Sequence, residues 1–272
     1  MHKYPFAIRL CGFGQDERPH IANALAKAPV AGPGYFCLHD DSLQDPDVTI
    51  ANGEDIKALA SLMAKPPTPL DPAIVIGAPV LDFPYPHLIR PLDMGELCDL
   101  LEELLERRNE AQAQLTARGL PFITERRRKA RLDLDVTDPA DYHKRRKPPP
   151  RGAVLIVDKG GALRDHMARL MGEATPIEWT DSPVAALKLC EESVVSLVMI
   201  NTSMPTLDPY SLTASIKAQR GGERVAVVLL VGASFHYHPA RARAAGVRGI
   251  LDKPVADRHL VGTLKKLMSI PL

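Results

Sequence analysis

The chain has 272 residues, of which 45% are hydrophobic and 25% charged, with a formal net charge of +1. That length accommodates two domains with a core each, and the composition is that of a soluble globular protein. A charge so near zero excludes a global field drawing the chain to nucleic acid or membrane, so any such attraction must be local. Four cysteines, Cys11, Cys37, Cys98 and Cys190, show neither a CxxC pair nor zinc spacing, and read as buried free thiols of a reducing cytoplasm. The N-terminal stretch lacks an apolar core long enough for a signal peptide or span, so the expected location is cytoplasmic.

In chain order, Phe6–Cys11 predicts a short strand and Gly12-Phe13-Gly14 a turn. Asp16 to Lys27 carries Ile21 and Leu25 at helical spacing, with Asp16 placed to cap it. Tyr35–Leu38 and Val48–Ala51 predict two more strands, and Asn52-Gly53 ends the second. Asp55 to Ala64 predicts a helix stopped by Pro66-Pro67. Ala73–Ile76 and His87–Ile89 are the fourth and fifth strands, with only loop between them and only loop between the second and third. Asp40, Asp41 and Asp45 in that earlier loop read as turn and cap residues rather than a metal site.

Asp93 to Arg118 is the strongest predicted helix. Leu97, Leu101, Leu104, Arg108, Ala111 and Leu115 recur in steps of four and three, a short heptad pattern interrupted by Arg108. Leu97, Leu101, Leu104, Ala111 and Leu115 are therefore a candidate dimer seam. The competing reading packs Leu97–Leu105 on the domain's own sheet and leaves the polar second half exposed.

Residues 119–151 read as a linker between a first domain at 1–118 and a second at 152–272. It holds Arg126, Arg127, Arg128 and Lys129, then Lys144, Arg145, Arg146 and Lys147, and ends in three prolines that stiffen it. These basic clusters are candidate contacts for an anionic partner, nucleic acid or an acidic protein surface. The aspartates between them fit equally a solvated, partly self-neutralised connector.

From Val154 onward strands and helices alternate. The strands are Val154–Val157, Pro176–Trp179, Ser196–Ile200, Val225–Val231 and Gly249–Leu251, with helices over 161–172, 183–191, 210–220, 239–245 and 256–268. This spacing predicts a doubly wound α/β parallel sheet of five strands. Leu197–Ile200 is apolar at every position, as suits a strand buried on both faces, and it ends at Asn201, where such sheets place their sites.

The segment 153–270, with its apolar strand ending at Asn201, Met204-Pro205 beyond it and Lys253-Pro254 before the last helix, resembles the receiver domain of bacterial two-component response regulators. The first domain resembles it through strand order and through Arg90-Pro91 at the Lys-Pro place. The resemblance implies flavodoxin-like strand order in both domains. It also implies a site built from two acids after the first strand, a phospho-acceptor aspartate, a Ser or Thr ending the fourth strand, an aromatic on the fifth, and a lysine. In that family the acids hold Mg²⁺ against the phosphoryl charge.

Position by position, the resemblance is broken. Asp158 keeps one acid and Lys159 replaces the other. Asn201 stands at the acceptor place, and its amide forms no acyl phosphate. Val231 replaces the hydroxyl residue and Ile250 the aromatic, while Lys253 remains. With one carboxylate and two ammonium groups, Asp158 is expected to pair with Lys253 or Lys159, with Asn201 bonding either. In the first domain Asn52 ends the third strand, Gly77 the fourth, and Arg90 takes the lysine place. Gly12-Phe13-Gly14 is too short for a phosphate loop, and His236-Tyr237-His238 reads as surface loop rather than a metal site.

The expectation is thus a tandem pseudo-receiver: a non-enzymatic adaptor with no cofactor or metal, docking on an unspecified signalling protein or on itself. With no output segment after Leu272, action is expected through the fourth-helix, fifth-strand and fifth-helix face. Two other classes stand beside it, a nucleic-acid-binding regulator using the basic linker, and an enzyme or ligand sensor whose site has no motif.

Overall fold

Two five-stranded, all-parallel sheets flanked by helices make up the computed structural model, which describes residues 4–28, 34–64, 67–78, 83–118, 152–172, 175–205 and 207–268. They fall in two compact units, Met1–Asp40 with Asp45–Val136, and Asp41–Gln44 with Thr137–Leu272. The four residues Asp41–Gln44 thus belong to the second unit, where the sequence alone put them in the first domain. The basic clusters of residues 126–129 and 144–147 lie outside the described residues.

The first unit contains β1 (Phe6–Cys11), α1 (Glu17–Ala26), β2 (Tyr35–Cys37), β3 (Val48–Asn52), α2 (Ile56–Met63), β4 (Ala73–Ile76), β5 (His87–Leu88) and α3 (Met94–Ala117). Its strand order is β2-β1-β3-β4-β5. Asp55 and Asp93 cap α2 and α3 through their carboxylates, which accept from Ala58 N at 2.8 Å and Gly95 N at 2.7 Å. Asp16 makes no such bond to α1, because its own backbone is already helical. Among the described residues, the two expected helix-free connections contain no helix. In the second of them Tyr85 takes a place in the small core beside α2, packing with Leu59, Ala73 and Val75 and donating its hydroxyl to Leu62 O at 3.2 Å.

The structure corrects the reading of α3. Leu97, Leu101 and Leu104 lie in the unit's main core with Ile8, Ile50, Ile74 and Ile76. A seam through all five candidate residues is therefore not available, because burial of one face against the sheet uses the same stripe that a dimer would need. Ala111 and Leu115, beyond the core, are only half-buried. Nor does Arg108 simply interrupt the pattern. Its side chain is 6% exposed, and its Nη1 lies 3.0 Å from Oδ1 of Asp47, which is fully buried. Arg108 Nε also donates to Leu70 O at 3.1 Å, and Asp47 Oδ2 accepts from Ala7 N at 2.9 Å. The ion pair ties the middle of α3 to the start of β1 and β3.

The second unit contains β6 (Ala153–Val157), α4 (Ala162–Met171), β7 (Ile177–Thr180), α5 (Pro183–Glu192), β8 (Val195–Asn201), α6 (Pro209–Ala218), a 3₁₀ turn (Gly222–Arg224), β9 (Ala226–Val231), α7 (Pro239–Ala245), β10 (Gly249–Asp252) and α8 (Asp257–Met268). Its order, β7-β6-β8-β9-β10, repeats that of the first unit. Central β8 is buried at every residue and divides two cores. Val198 and Ile200 face one with Tyr210, Leu212 and Ile216 of α6, while Leu197 and Met199 face the other with Met167 of α4 and Leu260 and Leu264 of α8. Burial on both faces explains why these strands read as apolar runs without alternation.

Asp47 has no exposure to water, and Arg108→Ala takes away the cation that faces its buried carboxylate. We expect a loss of roughly 3–5 kcal/mol in urea unfolding. Arg107→Ala, which removes only a surface pair with Glu103 on the same helix, should cost about 1 kcal/mol or less.

Candidate functional site

At the carboxyl end of the second sheet, three strands bring one polar side chain each to a common point. β6 runs directly into Asp158, β8 ends in Asn201, and the residue after β10 is Lys253, which enters a cis peptide bond with Pro254. Asn201 stands between the other two. Its Nδ2 donates to Asp158 Oδ1 at 2.6 Å, and its Oδ1 accepts from Lys253 Nζ at 2.5 Å. The expected ion pair of Asp158 with Lys253 or Lys159 is thus replaced by a relay through a neutral amide. A carboxamide carries a donor and an acceptor on one rigid plane, so it can face an anion and a cation at once.

Lys159 contributes differently from expectation. Its side chain is exposed, and its backbone N–H bonds Asp158 Oδ1 at 2.7 Å. Ser203 was not singled out by sequence, yet it joins the site: its N–H donates to Asn201 Oδ1 at 3.0 Å and its Oγ lies 3.5 Å from Lys253 Nζ. A serine two residues past a strand end is too common in turns to have marked it in the sequence. Val231 and Ile250 are buried in the core beside α6. Trp179 is half-buried and donates its indole N–H to Asp158 O at 3.1 Å. Burial lowers the Lys253 pKa below the ordinary lysine value, and the Asp158 charge only partly restores it.

The donor set does not fit a magnesium ion. Mg²⁺ asks for near-octahedral oxygen ligands with carboxylates among them. Here the single carboxylate already accepts two N–H groups at one oxygen, and an ammonium group occupies the space facing Asn201 Oδ1. No group of three His, Cys, Asp or Glu side chains able to hold a metal occurs among the described residues. His236 and His238 are exposed loop residues, and Asp40 pairs with Arg18 at 2.7 Å. The four cysteines are free and half-buried rather than buried, and burial raises every one of their thiol pKa values, that of Cys190 to about 11.

The first unit repeats the motif with different partners. Asn52 ends β3, its Nδ2 donates to Gly12 O at 3.0 Å, and its Oδ1 accepts from Arg90 Nη2 at 3.3 Å. Arg90 also precedes a cis proline, Pro91. Its guanidinium is held charged by Glu17, to which it is hydrogen-bonded, and lies 3.5 Å from Glu54. Gly77 has a φ of 98°, and a Cβ there would meet Arg90 Nε at 3.3 Å, so only glycine serves where the guanidinium crosses β4's end.

Residues 154–265 match the family model described as the response regulator receiver domain. That stretch of the second unit is similar to receiver domains, and its parallel sheet has the strand order that the resemblance implied. Among solved structures, the chain is similar to the receiver domain of a sensor histidine kinase from Pseudomonas aeruginosa, crystallised with magnesium coordinated in its active-site cleft. The two share 20% identity with a TM-score of 0.39, over 44% of this chain and 98% of that one. A chemotaxis protein of Vibrio cholerae shows 19% identity and a TM-score of 0.38, over 42% and 97%. The receiver domain of an HD-domain protein from Pseudomonas fluorescens shows 24% and 0.39, over 43% and 94%. No curated protein matches the chain.

Asn201→Asp tests the relay. The change removes the donor to Asp158 and places a second carboxylate against it, so stability at pH 7 should fall by about 1–3 kcal/mol in chemical unfolding. Added Mg²⁺ should return part of that loss, and should do nothing for the unsubstituted protein. The Lys253 charge gives a second readout. The unfolded chain holds more protons than the folded one as pH rises through the region just below the ordinary lysine value, so this group's contribution to stability rises there, and Lys253→Met should flatten it.

Proposed function

We propose that this protein is a signalling adaptor built from tandem pseudo-receiver domains, with no phosphoryl transfer of its own, acting by docking on another signalling protein. The observation that carries this reading is the pair of contacts made by Asn201, 2.6 Å to Asp158 and 2.5 Å to Lys253. In a receiver the acceptor carboxylate, a metal ion and the lysine form a circuit that changes when a phosphoryl group arrives. Here an amide closes the same circuit permanently with groups of the chain itself. A neutral amide has no anionic oxygen to attack phosphorus, its nitrogen lone pair is delocalised and its oxygen is a poor nucleophile, so the position offers no route to an acyl phosphate.

The first unit supports the same reading, since Asn52 and Arg90 close its corresponding strand ends. Both units therefore hold one conformation of these ends without an input signal, and the partner would recognise that fixed form. Among the described residues no helix is long and apolar enough to cross a membrane. Such an adaptor would meet its partner as a protein surface.

Trp179 provides the test, because it is the chain's single tryptophan and bonds the backbone of Asp158. Beryllofluoride with Mg²⁺, which mimics a phosphoryl group on an aspartate, should leave its fluorescence unchanged at every concentration. A saturable change that depends on both components would overturn the proposal.

A further inference from the structure

The outer edge of β10 is the end of the second sheet, yet within that unit it is not open. Strands at sheet edges leave alternate N–H and C=O groups unpaired, and such edges invite further strands. In β10 these groups belong to Ile250 and Asp252, and Asp41–Gln44 satisfies them. Ser42 forms a parallel bridge with Ile250, and Leu43 N donates to Ile250 O at 2.9 Å. One residue further, the side chain of Gln44 takes over from the backbone. Its Nε2 donates to Asp252 O at 3.1 Å and its Oε1 accepts from Asp252 N at 2.9 Å. A primary amide offers the same donor and acceptor as a peptide unit, so the ladder continues for one more step where the main chain departs.

Three further features show a seat shaped for this segment. Gly249 carries no side chain where Leu43 lies, and a Cβ there would come within 2.6 Å of Leu43 Cγ. Tyr237 donates its hydroxyl to Asp41 Oδ2 at 2.8 Å, and Lys266 Nζ reaches Leu43 O at 3.0 Å. Gln44 and Asp252 are 1% and 4% exposed, so their paired groups are sealed from water. From Pro209 to Met268 the sequence holds ten lysines and arginines against three acids, which favours an acidic strand.

We infer that the outer edge of β10 is an acceptor surface for an acidic, extended peptide, and that Asp41–Gln44 is its resident occupant, closing the edge against strands of other molecules. The inference is independent of the state of Asn201. It also bears on docking through the fifth-strand face, since that edge is already filled.

The test uses the full chain and two variants, Leu43→Ala/Gln44→Ala on the occupant and Gly249→Ala on the seat. Backbone hydrogen exchange of Ile250 and Asp252 should be slow in the unsubstituted protein and about tenfold faster or more in both variants, while β6 and β8 amides stay protected. A fluorescent peptide with the sequence of residues 39–46 should bind the double variant and not the unsubstituted protein. It should also fail on Gly249→Ala, where the added methyl group fills the leucine seat. Unchanged exchange of the two edge amides, or equal peptide binding by all three proteins, would overturn the inference. If the double variant loses β6 and β8 protection as well, exchange in Gly249→Ala decides the matter alone.

Discussion

A single carboxamide holds the carboxyl ends of three strands together. Asn201 accepts the ammonium hydrogen of Lys253 and donates to the carboxylate of Asp158, so β6, β8 and β10 meet at one neutral group. Burying an isolated charge is expensive, and pairing two charges through an amide lowers that cost without bringing in an ion from solution. Everything distinctive about the site follows. Lys253 can remain although burial opposes its charge, Asp158 can remain as a lone acid, and Val231 and Ile250 can be given to the core because no incoming group needs a hydroxyl or an aromatic there.

The first unit solves the same problem with other parts. Asn52 again joins the strand ends, but its donor partner is the backbone of Gly12 and its cation is Arg90. The acids come from the start of α1 and from the loop after β3, as Glu17 and Glu54, rather than from the end of β1. A planar guanidinium with several donors can reach three partners at once, which a lysine could not do in the same space. What persists between the units is the asparagine at the end of the central strand and the cation before a proline, while the anions have moved.

Much of this was readable in the chain. The strands, the long α3 and the residues at the strand ends follow from apolar runs and Gly-Pro punctuation, while the strand order came from the resemblance to receiver domains that Lys253-Pro254 helps to carry. What could not be read were contacts that depend on where a polar side chain points. Arg108 looked like a break in a heptad, and only its approach to Asp47, far away in sequence, shows it to be buried glue. The stripe Leu97, Leu101 and Leu104 is equally compatible with a partner helix and with a sheet, since periodicity records burial and not what does the burying. Ser203 is a common residue type in turns and carries no pattern. Gln44 has none either, because a side-chain amide replacing a peptide group leaves no periodic trace in sequence.

The burial of β8 on both faces has a consequence for how the sheet finds its alignment. Where a strand alternates apolar and polar residues, sliding it by one position turns the polar side into the core, and the error is penalised at every residue. In β8 every position from Val195 to Ile200 except Ser196 is apolar, so a slip by one would exchange one greasy contact for another. The penalty falls instead on the last residue. A displaced strand would set Ile200 or Thr202 opposite Lys253 and strip the half-buried ammonium of its amide partner. Asn201 therefore also acts as an index mark, fixing by one polar contact an alignment that the hydrophobic residues leave undetermined.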